Sequence, residues 1–262
     1  MNWEAMDIGI LGPAFVAGLV VLATHVPLGQ RVLERGIIFI DLAIAQLAGV
    51  GVIAVHALGV DTNDLMVQLA AFSAAIAGAL LFYWTERCWP DMQEAIIGSV
   101  FVLGATAAIL LLAQDPMGGE HFKDLLVGQI LWVDYPGLGQ PALFSLVVLA
   151  FWFGAGAHRH LAAFYGLFAI SVTVSVQLVG VYLVFATLII PALAGRFLPN
   201  RFRLSAGYII GVLGYGIGLS ISALFDLPAG PVVVWTLAAI AIIFALIGRW
   251  RVQGMASVDP RQ

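Results

Sequence analysis

Long apolar stretches separated by short polar loops dominate the hydropathy pattern of this chain. They occur near residues 8–27, 37–60, 65–84, 94–114, 140–156, 204–224 and 229–249. Each is close to the ~20 residues that a helix needs to cross ~30 Å of hydrocarbon. Because lipid offers no partners to backbone N–H and C=O groups, such spans are helices. The pattern predicts an all-α, polytopic integral membrane protein.

The stretch 161–198 is too long for one span, and Gly180 lies near its middle. We interpret it as two spans, about 161–178 and 180–197, with a tight turn at Val179–Gly180. The charge pattern favours this division, because cytoplasmic loops collect Lys and Arg. Nine spans with an external N-terminus place every arginine inside. Eight spans remain the alternative, if the first or the seventh run does not cross.

The composition supports one lipid-solvated domain over residues 1–262. Hydrophobic residues make up 62% of the chain, charged residues 10%, and the mean hydropathy is +1.03. Soluble domains carry roughly 25% charged residues. A single cysteine, Cys88, leaves no internal disulfide and no Cys-rich metal site. No phosphate-binding G-x-x-x-x-G-K-[ST] motif occurs.

One carboxylate interrupts the apolar run "RGIIFIDLAIAQLAGVGVIAV", residues 35 to 55. A charge at the centre of a span costs ~2.5–3.5 kcal/mol on insertion scales, and such residues usually mark a partner or an ion pathway. On a helix, Asp41 shares its face with Ala45, Ala48 and Gly49, so another helix or a pathway can come close. Carboxylate oxygens suit divalent cations. Asp41 is therefore a candidate ion-pathway residue and metal ligand.

Two further points qualify the Asp41 hypothesis. Gln46 is a second pathway candidate, but on a regular helix it points ~140° away from Asp41, at ~100° per residue. The structural alternative is a buried Asp41 that acts as a cap or pairs with Arg31 or Arg35 near the membrane boundary.

Other polar side chains lie in or beside predicted spans. Gln177 and Ser175, in the sixth span, are candidates to line the pathway. The alternative is that they bond to backbone carbonyls or to a neighbouring helix. His56, near the external end of the second span, is a candidate to meet an incoming metal, although a lone interfacial histidine is usually structural.

Three segments carry a resemblance to a known family. In "VSVQLVGVYLVFATLIIPALAGRF" (174–197) and the span that follows, five residues fall in the family's order: Gly180, Pro191, Asp226, Pro228 and Gly230. "DLLVGQILWV" (124–133) and "RVLERGIIFIDLAIAQLAG" (31–49) are similar to its external and early segments. The chain resembles the permease subunits of ABC importers for zinc, manganese and iron. That architecture is similar to vitamin and siderophore importer permeases.

The resemblance implies a function and a set of partners. Such permeases form homodimers in the bacterial inner membrane, surrounded by lipid. A cytoplasmic ATPase pair drives them, and a periplasmic metal-binding protein delivers the ion. The chain is then not an enzyme, holds no permanent cofactor and binds no nucleic acid. Its cargo is a divalent transition metal ion, with zinc or manganese before iron.

The resemblance also assigns a coupling role to the cytoplasmic segment 191–205. The residues it would present to the ATPase are Arg196, Phe197, Arg201, Phe202 and Arg203. The alternative is that these arginines only set the topology. The sequence departs from the family at Ala45, where Asp-x-x-x-His is common, and this weakens a two-ligand site.

Two other classes of protein compete with the importer. An ion-coupled secondary transporter or channel needs no ATPase, but it would rely on Asp41 as its one mid-membrane carboxylate. A polytopic membrane enzyme needs a cluster of polar catalytic residues at one membrane surface, and the sequence shows no such cluster.

Overall fold

The computed structural model describes residues 8–57, 64–112, 126, 128, 130–156 and 159–256. Within these ranges nine apolar helices follow one another along the chain. They are α1 (Ile8–Arg35), α2 (Ile40–Ala57), α3 (Asp64–Cys88), α4 (Gln93–Leu112), α5 (Gly139–Leu149), α6 (Leu161–Val179), α7 (Val181–Gly195), α8 (Asn200–Phe225) and α9 (Ala229–Ala256). A π-helical turn, Ala150–Gly154, extends α5. Short 3₁₀ turns cover Pro90–Met92, Ile130–Trp132 and Pro136–Leu138.

The helices agree with the predicted spans. Seven helical segments are long and apolar enough to cross a membrane, and α2 and α7 are shorter apolar helices. At 1.5 Å per residue the 15 residues of α7 extend about 22 Å. The prediction of an all-α polytopic membrane protein is confirmed.

The division of 161–198 at Gly180 is also confirmed. Helix α6 ends at Val179, and α7 begins at Val181. Gly180 has φ +80°, a conformation that glycine adopts without a steric penalty. Gly128, with φ +70°, lies directly on this turn, because a Cβ there would be 2.3 Å from the Val179 carbonyl carbon. Gly128 therefore packs against the end of the α6–α7 hairpin.

Glycines on α8 let it pack closely between two neighbours. A Cβ at Gly211 would lie 2.1 Å from the side chain of Leu22 on α1, and one at Gly218 would lie 2.8 Å from Cα of Val233 on α9. The other two members of the repeat contact the same helices, Gly207 α1 and Gly214 α9. The repeat "GYIIGVLGYGIG" is thus a packing feature, as small residues are in membrane helices.

Helix α1 approaches α7 even more closely. A Cβ at Gly29 would lie 2.0 Å from the carbonyl oxygen of Leu188. Nearby, the hydroxyls of Thr187 and Tyr215 are 2.9 Å apart, which joins α7 to α8 through a fully buried hydrogen bond. These contacts make α1, α7, α8 and α9 one tightly packed group.

A polar network joins the arginine-bearing ends of α1, α3, α4 and α6. Arg35 forms an ion pair with Glu86 at 2.6 Å, and the Tyr165 hydroxyl donates to the same carboxylate. Gln93 donates to the Tyr165 oxygen at 3.0 Å and accepts from Thr85 at 2.9 Å. Every member finds a partner, so this network fixes four helix ends relative to one another.

Candidate functional site

Asp41 is the second residue of α2, and only 1% of its surface is exposed. Its Oδ1 has no hydrogen-bond partner among the described residues. Arg31 pairs instead with Glu34 at 2.9 Å, and Arg35 pairs with Glu86. Asp41 therefore does not pair with Arg31 or Arg35, whereas the alternative of a capping role in the first turn of α2 stays open.

The turn before α2 fixes the depth of this carboxylate. Gly36 takes φ +72° and donates to the Val32 carbonyl at 3.0 Å, which reverses the chain within a few residues. The Phe39 N–H donates to Glu94 at 3.2 Å, so the turn is attached to α4. Asp41 consequently lies in the first helical turn, where the positive end of the helix dipole favours a negative charge. Its place is nearer to the inner membrane boundary than to the centre of the bilayer.

Gln46 is buried but lies on another side of α2. Its Cβ is 3.3 Å from the position that a Cβ on Gly104 of α4 would take. Helix α2 continues without a break from Ile40 to Ala57. The structure therefore places Gln46 against α4 and does not bring it onto the face of Asp41.

An open cleft of about 210 Å³ lies at the outer end of α3, α5 and α6. Gln177, which is exposed, lines it together with Gln68 and Gln140. The Gln140 amide donates to the Gln68 oxygen at 3.2 Å. The rings of Phe72 and Phe144, 5.6 Å apart, supply apolar wall. Amide oxygens can accept a hydrated cation without the desolvation cost of a buried charge.

Sequence reasoning missed Gln68 and Gln140. Each stands near the beginning of an apolar run, where a polar residue is ordinary, so neither carries a signal by itself. Their proximity to Gln177 depends on how α3 and α5 pack against α6.

Buried hydroxyls continue inward along α6. Ser175 and Ser171 share one helix face, and both are buried. The Ser171 hydroxyl has no hydrogen-bond partner in the described part of the chain. From Gln177 to the inner end of α6 the rise is about 24 Å, at 1.5 Å per residue. The candidate residues therefore lie at different depths between the outer cleft and the level of Asp41.

No group of three or more His, Cys, Asp or Glu side chains that could hold a metal ion occurs among the described residues. Asp41 and His56 are 15 residues apart on α2, about 22 Å along the axis, so one chain cannot use both for one ion. The side chain of His56 lies outside the described part. His25 is fully buried in α1, and its Nε2 has no hydrogen-bond partner within the described ranges.

The connection between α7 and α8 presents apolar and cationic groups together. Phe197 and Phe202 are 46% and 47% exposed, and the guanidinium of Arg201 lies 4.7 Å above the Phe202 ring. Arg196 is exposed, whereas Arg203 donates from Nε to the Leu198 carbonyl at 3.3 Å. The turn is thus held by a side-chain hydrogen bond, and its two aromatic side chains are exposed.

A family model described as the ABC 3 transport family matches residues 7–161 and 154–248. The chain belongs to this family. It is a multi-pass membrane protein of the permease class, as the resemblance in segments 31–49, 124–133 and 174–230 predicted.

Individual relatives and a solved structure agree with this assignment. An uncharacterized membrane protein of Synechocystis sp. is 24% identical over 271 residues, which cover 94% of this chain and 93% of the relative. A probable iron transport system membrane protein of Haemophilus influenzae is 24% identical over 200 residues, 68% of this chain and 70% of the relative. The structure of PsaBC from Streptococcus pneumoniae in complex with Fab matches with a TM-score of 0.72 at 22% identity, over 93% of this chain and 95% of that one. The likeness to PsaBC shows that the two share a fold.

Proposed function

We propose that this chain is the permease subunit of an ATP-driven importer for a divalent transition metal ion, and that Asp41 contacts the ion on its way in. The observation that carries the proposal is a fully buried carboxylate whose Oδ1 lacks a partner among the described residues. A buried carboxylate oxygen without a partner is costly, which supports a functional use for it. Its hard oxygens suit divalent cations.

The route proposed for the ion begins at the outer glutamine cleft and continues past α6. Gln177 lines the cleft, Ser175 lies further inward, and Asp41 lies near the inner boundary. Gln46 is the weaker candidate, because it packs against α4. His56 remains a candidate first contact at the outer end of α2.

The proposed partners are a second copy of the chain, cytoplasmic ATPase subunits and an external metal-binding protein. The chain has no phosphate-binding motif of its own. The exposed pair Phe197 and Phe202, with Arg201, gives the 191–205 segment the apolar and cationic character of a docking surface. An ATPase on this segment would drive alternating access.

The identity of the metal is proposed only as a class. The resemblance of the sequence ranks zinc or manganese first. Iron stays a candidate, and the Haemophilus influenzae relative is named for iron transport. Ala45 supplies no imidazole one turn from Asp41, which favours a transient carboxylate contact over a stable site.

Whole-cell elemental analysis under metal starvation tests the proposal. A strain without the gene is compared with strains carrying the wild type, Asp41→Ala or Asp91→Asn at matched protein levels. Asp91 is an exposed carboxylate at the same end of the molecule and serves as the control. One metal should fall on deletion and return with the wild type and Asp91→Asn, but not with Asp41→Ala. A metal that returns equally with Asp41→Ala shows that the ion does not use this carboxylate. If the cellular content of every metal is the same in all four strains, the proposal that the chain belongs to a metal importer is contradicted.

Stability separates a functional carboxylate from a structural one. Asp41→Asn keeps the shape and removes the buried charge, so the unfolding temperature of the purified protein should stay the same or rise. Asp91→Asn again provides the comparison. A clear fall with Asp41→Asn alone would show that the carboxylate holds the fold together.

A further inference from the structure

A second cleft, of about 220 Å³, lies at the opposite end of the molecule from the glutamine cleft. Pro27, Gln30, Arg31 and Glu34 form one wall, because their spacing puts them on a single face of α1. The other walls are Trp152 and Phe153, from the π-helical turn after α5, and Leu204 of α8. This face of α1 is not part of the proposed ion route, and the cleft borders the 191–205 segment only through Leu204.

Two side chains that line the cleft, Gln30 and Arg31, have hydrogen-bond donors without acceptors. Gln30 Nε2 and Arg31 Nε are buried atoms without a partner among the described residues, and both are shielded from solvent in this conformation. A ligand whose acceptor draws either side chain towards it would remove the cost of leaving that donor unpaired. Arg31 also holds Glu34 at 2.9 Å, which places a carboxylate beside the donors. A carboxylate has about four lone-pair sites, so Glu34 can accept further hydrogen bonds.

The position of the cleft indicates an occupant from the membrane. Arginines cluster at this end of the helices, which places it at the cytoplasmic interface. Phe153 is 56% exposed, and its neighbours Phe151, Leu146 and Leu143 are also exposed along α5. The cleft thus opens beside an exposed apolar surface at the depth expected for the acyl chains of the inner leaflet. The π-helical turn widens the end of α5 and places Trp152 inside the cleft and Phe153 at its edge.

The charges of the cleft select the headgroup. One arginine and one glutamate make it neutral overall, so a purely anionic ligand would meet Glu34 as a repulsive neighbour. A zwitterion with a phosphate and a primary ammonium satisfies both: the phosphate accepts from Arg31 and Gln30, and the ammonium donates to Glu34. We infer that the cleft between α1, the π-helical turn of α5 and Leu204 binds the headgroup of a phosphoethanolamine lipid. The inference depends on membrane insertion and not on the metal cargo.

Native mass spectrometry of the full-length protein tests this inference. The delipidated protein is mixed with phosphatidylethanolamine, phosphatidylcholine or phosphatidylglycerol. Choline has no N–H and glycerol has no ammonium, so the wild type should retain ethanolamine lipid about tenfold better than either, the factor that one charge-assisted hydrogen bond supplies. Equal retention of ethanolamine and choline lipids would overturn the inference.

Variants separate the two halves of the recognition. Arg31→Gln should lose most ethanolamine-lipid binding, and Glu34→Gln should lose the preference over phosphatidylglycerol. Arg87→Gln is the matched control, because Arg87 is exposed and contacts Tyr83 outside the cleft. An Arg87→Gln loss as large as that of Arg31→Gln would show general charge binding and refute the site.

Photocrosslinking in native membranes identifies the occupant independently. A benzophenone amino acid replaces Phe153 at the edge of the cleft. The expected adducts are lipids. A discrete protein adduct, whether a second copy of this chain or an ATPase, would mean that a protein covers the cleft and would overturn the lipid assignment.

Discussion

At the scale of single residues, the polar atoms inside this protein fall into two groups. Those of the Arg35–Glu86–Tyr165–Gln93 network are largely satisfied by one another, and Arg35 Nε is the member atom without a partner in the described ranges. Those of Asp41, His25 and Ser171 include atoms without a partner in the described ranges. Satisfied networks stabilise helix packing, whereas unsatisfied buried atoms cost free energy. A polar or ionic ligand that moves through the protein could therefore form favourable contacts with the atoms of the second group.

Removal of one hydroxyl tests the role of the satisfied network. Tyr165→Phe deletes the donor to Glu86 and the acceptor for Gln93, leaving both part-buried groups short of a partner. We expect the free energy of unfolding to fall by ~1–3 kcal/mol. Tyr83→Phe, whose hydroxyl accepts only from exposed Arg87, is the control and should have little effect. Thermal unfolding in detergent measures the stability of both variants. Equal losses for Tyr165→Phe and Tyr83→Phe would show that the network does not stabilise the fold more than an exposed hydrogen bond does.

The sequence could reveal some of these residues but not others. Asp41 stands out, because a carboxylate in an apolar run is costly wherever the helix packs. The partner of Arg35 was not predictable, because Glu86 lies 51 residues away in sequence. Gln68 and Gln140 likewise gain meaning only from the packing of α3 and α5 on α6. Residue type gives the cost of burial, but tertiary contacts decide what offsets it.

At the scale of the helices, glycines decide where two backbones can touch. The span boundaries followed from hydropathy and arginine position, and Gly180 marked the break between α6 and α7. The closest approach in the group, Gly29 against the Leu188 carbonyl, was not predictable, because nothing in the sequence around Gly29 distinguishes it from a tolerated helix glycine.

Addition of one methyl group at Gly29 tests the close contact between α1 and α7. Gly29→Ala puts a Cβ 2.0 Å from the Leu188 oxygen, so α1 and α7 must separate, and we expect a loss of ~1–3 kcal/mol in unfolding free energy. At Gly98 of α4 a Cβ meets nothing within 4 Å. Gly98→Ala should be neutral or stabilising by up to ~1 kcal/mol, from helix propensity. Both variants are measured by thermal unfolding, and a Gly29→Ala variant as stable as the wild type would contradict the close contact.

The α7–α8 turn makes a prediction about the ATPase. Arg201→Glu reverses the charge above the Phe202 ring but leaves the Arg203–Leu198 hydrogen bond in place. We expect co-purification with the cognate ATPase to drop about tenfold or more, since one unfavourable charge contact exceeds ~1.4 kcal/mol. Arg159→Glu, another exposed cytoplasmic arginine, should leave the association unchanged. Full retention by Arg201→Glu would place the docking surface elsewhere.

At the scale of the whole molecule, the charge distribution and the helix order give one orientation. The Gly128 segment lies on the Val179–Gly180 turn, as two external features should. The arginine-bearing ends of α1, α3 and α6 meet in one network at the other end. The order of apolar helices in the described part of the chain was predictable because most of them are long, apolar and bounded by charge.

Cysteine labelling tests the orientation. In a Cys88→Ser background, single cysteines replace Leu227 in the α8–α9 turn and Arg159 before α6, both of which are exposed. An impermeant maleimide should label Leu227→Cys in intact cells and Arg159→Cys only after permeabilisation. The reverse labelling pattern would mean that the proposed topology is inverted. Labelling of both cysteines from the same side would contradict the three crossings, α6, α7 and α8, that separate the two positions.

The position of Asp41 in the first turn of α2 has an electrical consequence under the proposed function. A cation that reaches this depth from outside has already descended most of the transmembrane voltage. Each elementary charge gains about 2.3 kcal/mol per 100 mV, so a divalent ion gains roughly twice that over the full drop. A negative cell interior would then draw the ion towards Asp41 and oppose its return. The resting voltage alone would therefore favour inward over outward movement of the ion, before any nucleotide is hydrolysed.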